Sequence, residues 1–260
     1  MLPSSPAPNE PGTDPGYLPV VKFQQRLIEG RLIRRYKRFL ADVQLPGSVI
    51  TAACPNTGSM MGCADAGSRV WLSEHDSPSR KYRHTWEIVE VGGAKPVMVG
   101  INTGLPNRLV QEAIAGGAIG ELAGYETLRR EVAYGEEGSR VDIVLESPRR
   151  KACYVEVKNV TAAVSRGIAL FPDAVSERGA RHLRELMRLK ASGLRPVQLY
   201  CVQRGDVDEV RPADAIDPEY GRTLREAIEA GVEVLAYRAR VTPEEIRLEA
   251  RIPVVTPPVP

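Results

Sequence analysis

Hydrophobic and polar residues alternate along two neighbouring stretches near the middle of the chain, 139–146 and 152–158. In the second stretch Cys153 shares one face with two valines, and Tyr154 shares the other with a glutamate and a lysine. The five residues between the stretches contain Pro148 and three cations. A period of two around a short proline-containing break predicts a β-hairpin with its loop at 147–151.

This hairpin predicts a close pair of carboxylates. If 147–151 form the loop, Asp142 lies directly opposite Glu156, and facing side chains on paired strands have Cβ atoms about 5 Å apart. Two carboxylates this close repel, so either one pKa rises or a divalent metal binds between them. Lys158 shares the face of Glu156 and would offset negative charge beside a metal-activated water. The alternative is that the three residues only line the polar face of a half-buried hairpin, and a one-residue slip in register would separate the carboxylates.

The pattern before the hairpin predicts a different kind of domain from the pattern after it. Residues 26–101 contain roughly five short β-like runs separated by turn signals, which favours a small barrel. An apolar stripe then predicts a helix that starts near Pro106. A strand is expected at 128–134, followed by a loop at 135–138.

The remainder of the chain alternates helices and strands. Residues 160–171 are expected to be irregular, and 173–190 form an amphipathic helix. A second helix opens with Asp217 as N-cap and Pro218 at its first position. The other predicted strands are 195–203, 232–237 and 246–252. The order predicts a mixed sheet flanked by helices, in which the hairpin supplies central strands.

Both ends of the chain are rich in proline. Six prolines fall within residues 1–25, and they disfavour both helix and central strand, so this segment is expected to be a flexible extension. Residues 256–260 form a second proline-rich tail. The expected domains are therefore 26–101 and 102–255, with the boundary near Asn102.

Composition limits the kinds of partner. The net charge of the 260 residues is only +2, so a nucleic-acid site must be a local patch. The four cysteines are scattered, which favours reduced thiols in a cytoplasmic protein over a zinc site or disulfides. No apolar run reaches the roughly 18 residues that a membrane span needs, so no membrane partner is expected. The sequence leaves the oligomeric state open, with a homodimer as one alternative.

Two basic clusters lie in the predicted barrel. Residues 26–38 contain six cations and one anion, and a second cluster occupies 80–86. Cations beside aromatic residues on a β surface suit a phosphate backbone with stacked bases. The alternative is a solvated basic face with Phe39 and Trp86 in the core. The candidate nucleic-acid contacts are Arg34, Arg35, Tyr36, Lys37, Arg38, Arg80, Lys81 and Arg83, with Arg178, Arg181 and His182 of the 173–190 helix as contacts to adjacent phosphates.

Several ordered motifs resemble one known family, over about residues 26–253. They are R-L-I-R-R-Y-K-R-F-L-A-D-V (31–43), C-P-N-T-G-S-M (54–60), R-K-Y-R-H-T-W-E (80–87), N-R-L (107–109), S-R-V-D-I-V-L (139–145), C-Y-V-E-V-K-N-V-T (153–161), F-P-D-A-V-S-E-R-G (171–179) and H-L-R-E-L-M (182–187). On these motifs the chain resembles the bacterial and archaeal sugar fermentation stimulation protein A family.

The resemblance implies a mixed α/β protein with an N-terminal OB-fold and a C-terminal domain of the PD-(D/E)XK, restriction-endonuclease-like type. It maps Asp142, Glu156 and Lys158 onto the D…E-x-K triad of that fold, although Val141 stands where the motif's name has proline. A helical glutamate often completes the metal site in such folds, and Glu112 is the candidate by position. The implied metal is Mg²⁺ or Mn²⁺, held by Asp142 and Glu156. Members are described as binding DNA without sequence specificity.

Three classes of function follow. The first is a non-catalytic DNA-binding protein, with any role in regulating sugar metabolism exerted through non-specific binding or a partner. The second is a nuclease that uses a divalent metal to cleave phosphodiester bonds in DNA or RNA. The third, an enzyme acting on sugars or other small molecules, is disfavoured because the sequence has no phosphate-binding loop, G-x-G-x-x-G motif or nucleophile elbow. A helix-turn-helix signal for sequence-specific repression is also missing from the sequence.

Overall fold

The computed structural model describes residues 20–134, 139–165 and 167–258. Within these ranges there are sixteen strands and three α-helices. The strands are β1 (Val20–Lys22), β2 (Ile28–Tyr36), β3 (Leu40–Leu45), β4 (Ser48–Ala53), β5 (Arg69–Glu74), β6 (His84–Val91), β7 (Val97–Gly100), β8 (Thr127–Tyr134), β9 (Ser139–Ser147), β10 (Arg150–Val160), β11 (Ala163–Ser165), β12 (Gly167–Phe171), β13 (Arg195–Val202), β14 (Val207–Pro212), β15 (Glu233–Val241) and β16 (Glu245–Ile252). The helices are α1 (Leu105–Ala115), α2 (Glu177–Ala191) and α3 (Pro218–Glu229).

The first domain is the predicted OB barrel. Strands β2 to β6 lie side by side in the order β4-β3-β2-β5-β6, and a parallel pairing of β4 with β6 closes the barrel. Closure removes the exposed strand edges. Strand β7 extends the sheet beside β6. Inward-facing residues such as Leu32, Val43 and Leu72 form the core with Trp86, which is fully buried, whereas Phe39 remains 49% exposed.

The second domain is built on a seven-stranded mixed sheet in the order β1-β16-β15-β13-β10-β9-β8. Strands β10, β13 and β15 are parallel, and the others pair antiparallel. Apolar residues of α1, including Leu109 and Ala113, pack in one cluster with Ile143 and Val155 of the sheet. Helices α2 and α3 pack together in a separate cluster that includes Val234 of β15. The predicted mixed sheet, with the hairpin inside it, is confirmed.

The hairpin turn differs from the prediction, but the register does not. Strands β9 and β10 are joined by Pro148 and Arg149 alone, so the loop is two residues long instead of the expected 147–151. An irregularity between Arg150 and Cys153 then shifts the pairing by one residue, so that Cys153 pairs with Leu145. The bulge absorbs the extra residue, and it restores the register that places Asp142 and Glu156 at the same level of the sheet.

Two other expectations were wrong in part. The 160–171 segment is not irregular, because β11 and β12 form a three-stranded sheet with β14. The flexible extension expected at 1–25 is incorrect for Val20–Lys22, which pairs with β16, while residues 1–19 lie outside the described ranges. In the predicted tail at 256–260, the guanidinium of Arg225 donates to the Pro257 carbonyl at 2.7 Å, and the last two residues are not described. The loop expected at 135–138 also falls outside the described residues.

Local capping explains where the helices begin and end. Helix α3 starts as predicted, because the Asp217 carboxylate accepts from the Tyr220 N–H at 2.9 Å. Helix α2 starts at Glu177, later than expected, because the hydroxyl of Ser176 caps it by accepting from the backbone of Gly179. Helix α1 ends at Ala115, because Gly116 and Gly117, which follow it, weaken helical structure.

A carboxylate joins the two domains. Asp173, in the segment before α2, accepts hydrogen bonds from the Met60 backbone N–H at 2.9 Å and from the Ser59 hydroxyl at 3.2 Å. The same hydroxyl also lies 2.6 Å from the Asp173 carbonyl oxygen. These bonds fix the 54–60 loop of the barrel against the chain that leads into α2.

Among the described residues, no helix combines the length and apolar character required to cross a bilayer.

Candidate metal and nucleic-acid site

Asp142 lies where strands β9 and β10 separate. Its Oδ2 accepts from the backbone N–H of Val157 at 2.7 Å, and its Oδ1 accepts from the Asn107 side chain of α1 at 2.8 Å. The side chain therefore takes the place of a ladder hydrogen bond and is fixed by two donors from different elements. It borders a cleft of about 400 Å³ that is also lined by Asn107, Gln111 and Glu131.

Glu156 is the centre of a buried polar cluster beneath α2. Its side chain is 3% exposed, and its Oε1 accepts from the Lys158 ammonium at 2.7 Å and is hydrogen-bonded to His182 Nδ1. The other oxygen, Oε2, is buried without a hydrogen-bond partner among the described residues. A buried carboxylate oxygen that lacks a partner is costly and calls for a ligand.

The hydrogen bonds also fix the form of His182. Arg178 Nε donates to His182 Nε2 at 3.2 Å, so Nε2 is the acceptor. The proton of a neutral imidazole then sits on Nδ1 and is donated to Glu156. His182 is 2% exposed, so its role is to orient the Glu156 carboxylate from inside the protein. The prediction that His182 contacts an adjacent phosphate directly does not agree with this burial.

The two carboxylates titrate differently. Burial, followed by the nearby charge of Glu156, raises the pKa of Asp142 to about 6. Burial acts on Glu156 in the same direction, but hydrogen bonds from His182 and Lys158, together with the positive charge of Lys158, outweigh it, and the pKa of Glu156 is lowered. The pair therefore consists of one firmly ionised carboxylate and one that retains a proton in mildly acidic solution.

These residues fit a hard divalent cation. A cation next to Glu156 Oε2 would give that buried atom its missing partner, and it would remove the repulsion that raises the Asp142 pKa. The described residues contain no group of three or more His, Cys, Asp or Glu side chains arranged around one point. A two-carboxylate set suits an ion of the Mg²⁺ type, which keeps several waters.

Glu112, the predicted helical ligand, points elsewhere on α1. Its carboxylate pairs with Arg108 one turn earlier, with Nε and Oε1 2.8 Å apart. The α1 residue that contacts Asp142 is Asn107. Because successive helical residues are about 100° apart, Asn107 and Gln111 share a face that Glu112 does not.

Glu131 was not identified from the sequence. It lines the Asp142 cleft, and its φ of 50° lies in the left-handed region although it belongs to strand β8. Its neighbours Arg130 and Val132 pair with Ile143 and Val141, which places Glu131 opposite Asp142. Non-glycine residues rarely adopt this backbone conformation, and they do so more often near functional sites.

Gln198 and Glu185 are two further buried polar residues near Glu156 that were not predicted from the sequence. Gln198 pairs with Glu156 across β13 and β10, and it is fully buried. It interrupts the otherwise apolar run of β13, a signal that could have identified it. Glu185 of α2 is 1% exposed and forms an ion pair with Arg188. Nearby, Arg181 has a buried Nε without a hydrogen-bond partner among the described residues.

The predicted basic surface of the barrel is partly neutralised by the fold. Arg34 pairs with Asp42 at 2.8 Å, and the hydroxyl of Tyr36 donates to the same carboxylate. Arg35 donates to the carbonyls of Arg38, Asn56 and Gly58 at 2.7 to 2.9 Å. Arg35 therefore holds the 54–60 loop, whereas Lys37 and Arg38 are exposed at the tip of the β2–β3 hairpin.

The second basic cluster is also engaged with nearby residues. Arg83 pairs with Glu74 and Asp76, each at 2.9 Å. Arg80 donates to the Thr85 hydroxyl at 3.3 Å. The ammonium of Lys81 lies 5.7 Å from the centre of the Tyr82 ring. Lys81 and Arg80 remain exposed, so part of this cluster still faces solvent.

The fold and the site define a class: an OB barrel followed by a restriction-endonuclease-like mixed α/β domain, with paired carboxylates and a lysine on its central hairpin. Residues 33–101 match the family model described as the SfsA N-terminal OB domain, and residues 104–245 match the sugar fermentation stimulation protein RE domain. The chain belongs to the sugar fermentation stimulation protein family.

Relatives named sugar fermentation stimulation protein homolog support this assignment along most of the chain. The protein of Thioalkalivibrio sulfidiphilus is 63% identical over 88% of this chain and 95% of its own length. That of Geobacter sulfurreducens is 60% identical over 88% and 96%. A solved structure of Pyrococcus furiosus SfsA in complex with Ca²⁺ has a TM-score of 0.81 and 26% identity, and covers 90% of this chain and 98% of its own.

Proposed function

We propose that this protein binds nucleic acid, most readily DNA and largely without sequence specificity, and holds a divalent metal between Asp142 and Glu156. The observation that carries the proposal is the buried pair itself: Glu156 Oε2 has no partner among the described residues, and Asp142 has a raised pKa. Proteins tolerate such a pair where a cation or a reacting group completes it.

The metal assignment has support from a relative. Pyrococcus furiosus SfsA, which shares this fold, was solved in complex with Ca²⁺. Mg²⁺ or Mn²⁺ is the proposed ion here, because two carboxylates and several waters suit a small octahedral cation. Glu131, which lines the cleft, is the proposed third ligand in place of Glu112, whose carboxylate pairs with Arg108.

The nucleic-acid assignment rests on the barrel and on its exposed cations. OB barrels present a β surface to nucleic acids, and Lys37, Arg38 and Lys81 are exposed on this one. Arg178 is exposed at the start of α2 and bonded to His182. Binding through phosphates gives affinity without sequence specificity. A regulatory role in sugar metabolism, a cytoplasmic location and a homodimer remain predictions from the sequence.

Phosphodiester cleavage is a second candidate function, favoured by the position of Lys158 beside Glu156. A bound divalent ion would polarise a phosphate and lower the pKa of a water. Glu156 is held in orientation for that ion by the Nδ1–H of His182. The ammonium of Lys158, 2.7 Å from Glu156 Oε1, supplies positive charge next to the site and would orient the water. Asp142 is fixed by Asn107 and Val157 as the second ligand.

Direct titration with Mn²⁺ tests the metal site. Wild type should bind Mn²⁺ in calorimetry, and Glu156→Gln should lose at least tenfold in affinity because the anionic ligand is removed. Glu226→Gln is the matched control, since this exposed α3 carboxylate pairs only loosely with Arg222, at 3.8 Å. Equal Mn²⁺ affinity in wild type and Glu156→Gln would refute the site.

A cleavage assay on the same three proteins distinguishes nucleic-acid binding from nucleic-acid cleavage. Each is incubated with single-stranded DNA, duplex DNA and RNA in Mg²⁺, Mn²⁺ or EDTA. A nuclease predicts cutting by wild type and by Glu226→Gln that is lost in EDTA and in Glu156→Gln. Binding that weakens steeply with salt, with no cutting in any metal, assigns the chain to the non-catalytic class.

A further inference from the structure

The tip of the β2–β3 hairpin exposes an aromatic ring on a rigid support. Phe39 is 49% exposed, contrary to the alternative that placed it in the core. The two residues before it, Lys37 and Arg38, adopt φ values of 50° and 65°. Left-handed conformations are unfavourable for such side chains, so the surrounding structure must enforce them.

Hydrogen bonds on both sides enforce this conformation. Arg35 donates to the Arg38 carbonyl at 2.7 Å, and Arg38 Nε donates to the Thr57 carbonyl at 2.8 Å. The carbonyl of Phe39 accepts from the Cys54 backbone N–H at 2.7 Å. The backbone of the tip is therefore tied to the 54–60 loop, while the Phe39 ring is left in contact with water. The fold gains little from a large apolar ring placed this way.

The surroundings of the tip combine positive charge with apolar surface. Lys37 and Arg38, the two residues before Phe39, are exposed. Met61 and Val175, at 38% and 72% exposure, follow the two partners of the inter-domain hydrogen bond between Met60 and Asp173. Three of the six exposed large hydrophobic residues in the described ranges thus lie on segments that are hydrogen-bonded to one another.

A ligand that matches this surface needs both negative charge and flat apolar faces. Single-stranded nucleic acid offers both, because its bases are free to stack on an aromatic ring while its phosphates meet the cations. In a duplex, each base face is already stacked on its neighbours. We propose that Phe39 is a base-stacking platform and that the protein engages nucleic acid as a single strand at this point. This inference rests on the proposed nucleic-acid binding and names the form of nucleic acid.

The platform connects to the candidate metal site through a short series of contacts. The 54–60 loop, which holds the tip, is bonded to Asp173. Five residues further along the chain, Arg178 bonds His182, which is bonded to Glu156. The tip that carries Phe39 and the cluster around Glu156 are therefore linked through the chain segment that leads into α2.

Anisotropy titrations with fluorescein-labelled oligo(dT) and a labelled duplex of equal length test this inference. Phe39→Ala should weaken oligo(dT) binding by roughly ten- to a hundredfold, the loss typical of one stacked base, and change duplex binding by less than about threefold. Phe39→Trp should retain affinity, and the emission of the new indole should be quenched by oligo(dT). Val49→Ala is the matched control, because Val49 is a 58% exposed hydrophobic residue of the same barrel.

Three outcomes would overturn the platform. Phe39→Ala could bind oligo(dT) as tightly as wild type, or lose affinity for both nucleic acids equally, or Phe39→Trp could bind without quenching. In each case wild type still binds, so the proposed function survives. If wild type binds neither nucleic acid at low salt, the proposed function fails and the platform fails with it. Unchanged thermal unfolding of Phe39→Ala shows that the fold is intact.

Discussion

Replacing Asp142 with asparagine should make the metal-free protein more stable at neutral pH. The substitution keeps the shape of the side chain and removes a charge that burial and Glu156 both disfavour. The two hydrogen bonds can also be retained. The new amide oxygen can accept from Val157, and its NH₂ can donate to Asn107 once the Asn107 amide flips.

The magnitude follows from the pKa. A rise from 3.8 to about 6 at about 1.4 kcal/mol per unit corresponds to about 3 kcal/mol of destabilisation when the carboxylate is ionised. Imperfect replacement of the hydrogen bonds should cost about 1 kcal/mol of this. We expect a net gain of about 2 kcal/mol in the free energy of unfolding, or roughly 4–8 °C in Tm for a protein of this size.

The sign of the pH dependence is defined. The pKa of Asp142 is higher in the folded state, so the native protein holds this proton more tightly than the unfolded chain does. The contribution of Asp142 to the free energy of unfolding is favourable below about pH 4, and it is lost as the pH rises through about 6. The advantage of Asp142→Asn should therefore be small near pH 4.5 and complete at pH 7.5.

Urea unfolding in EDTA at these two pH values measures the difference. Asp208→Asn, with a carboxylate that is 81% exposed, is the control and should change stability little. Saturating Mn²⁺ should stabilise wild type and leave Asp142→Asn almost unaffected. A variant that is less stable than wild type at pH 7.5, or a gain that is the same at both pH values, would refute the reasoning.

Three further predictions concern the surrounding residues. Lys158→Met should raise the pKa of Glu156 and lower the free energy of unfolding by about 2–4 kcal/mol at pH 7.5, because a buried carboxylate loses its cation. Urea unfolding measures this loss, and an unchanged urea midpoint would contradict the buried ion pair. Asp173→Ala should cost about 1–3 kcal/mol, because the Ser59 hydroxyl and the Met60 N–H lose their carboxylate acceptor. It should also separate the thermal unfolding of the two domains in calorimetry, whereas a single unshifted transition would show that the contact is unimportant. Arg35→Lys should lower Tm because three carbonyls lose their donor. Lys37→Met, by contrast, should weaken DNA binding and flatten its salt dependence at unchanged Tm. The opposite result would mean that Arg35 contacts DNA and Lys37 stabilises the fold.

The sequence by itself determined the local pattern of the site. Period-two alternation is a property of the strand backbone, so it placed Asp142, Glu156 and Lys158 on a hairpin in the correct register, even though the loop was shorter than expected. The N-cap of α3 and the apolar run of β13 were equally local. The family motifs in the sequence also predicted the two-domain architecture.

The tertiary structure alone decided how these residues are used. Asn107, His182 and Glu131 reach the carboxylates from elements that are distant in the chain, so no local period indicates them. In the same way, a run of cations does not show which arginine will bind a carbonyl. Arg35 holds a loop and Phe39 faces water because the side-chain direction at the hairpin tip depends on the packing of segments far apart in sequence.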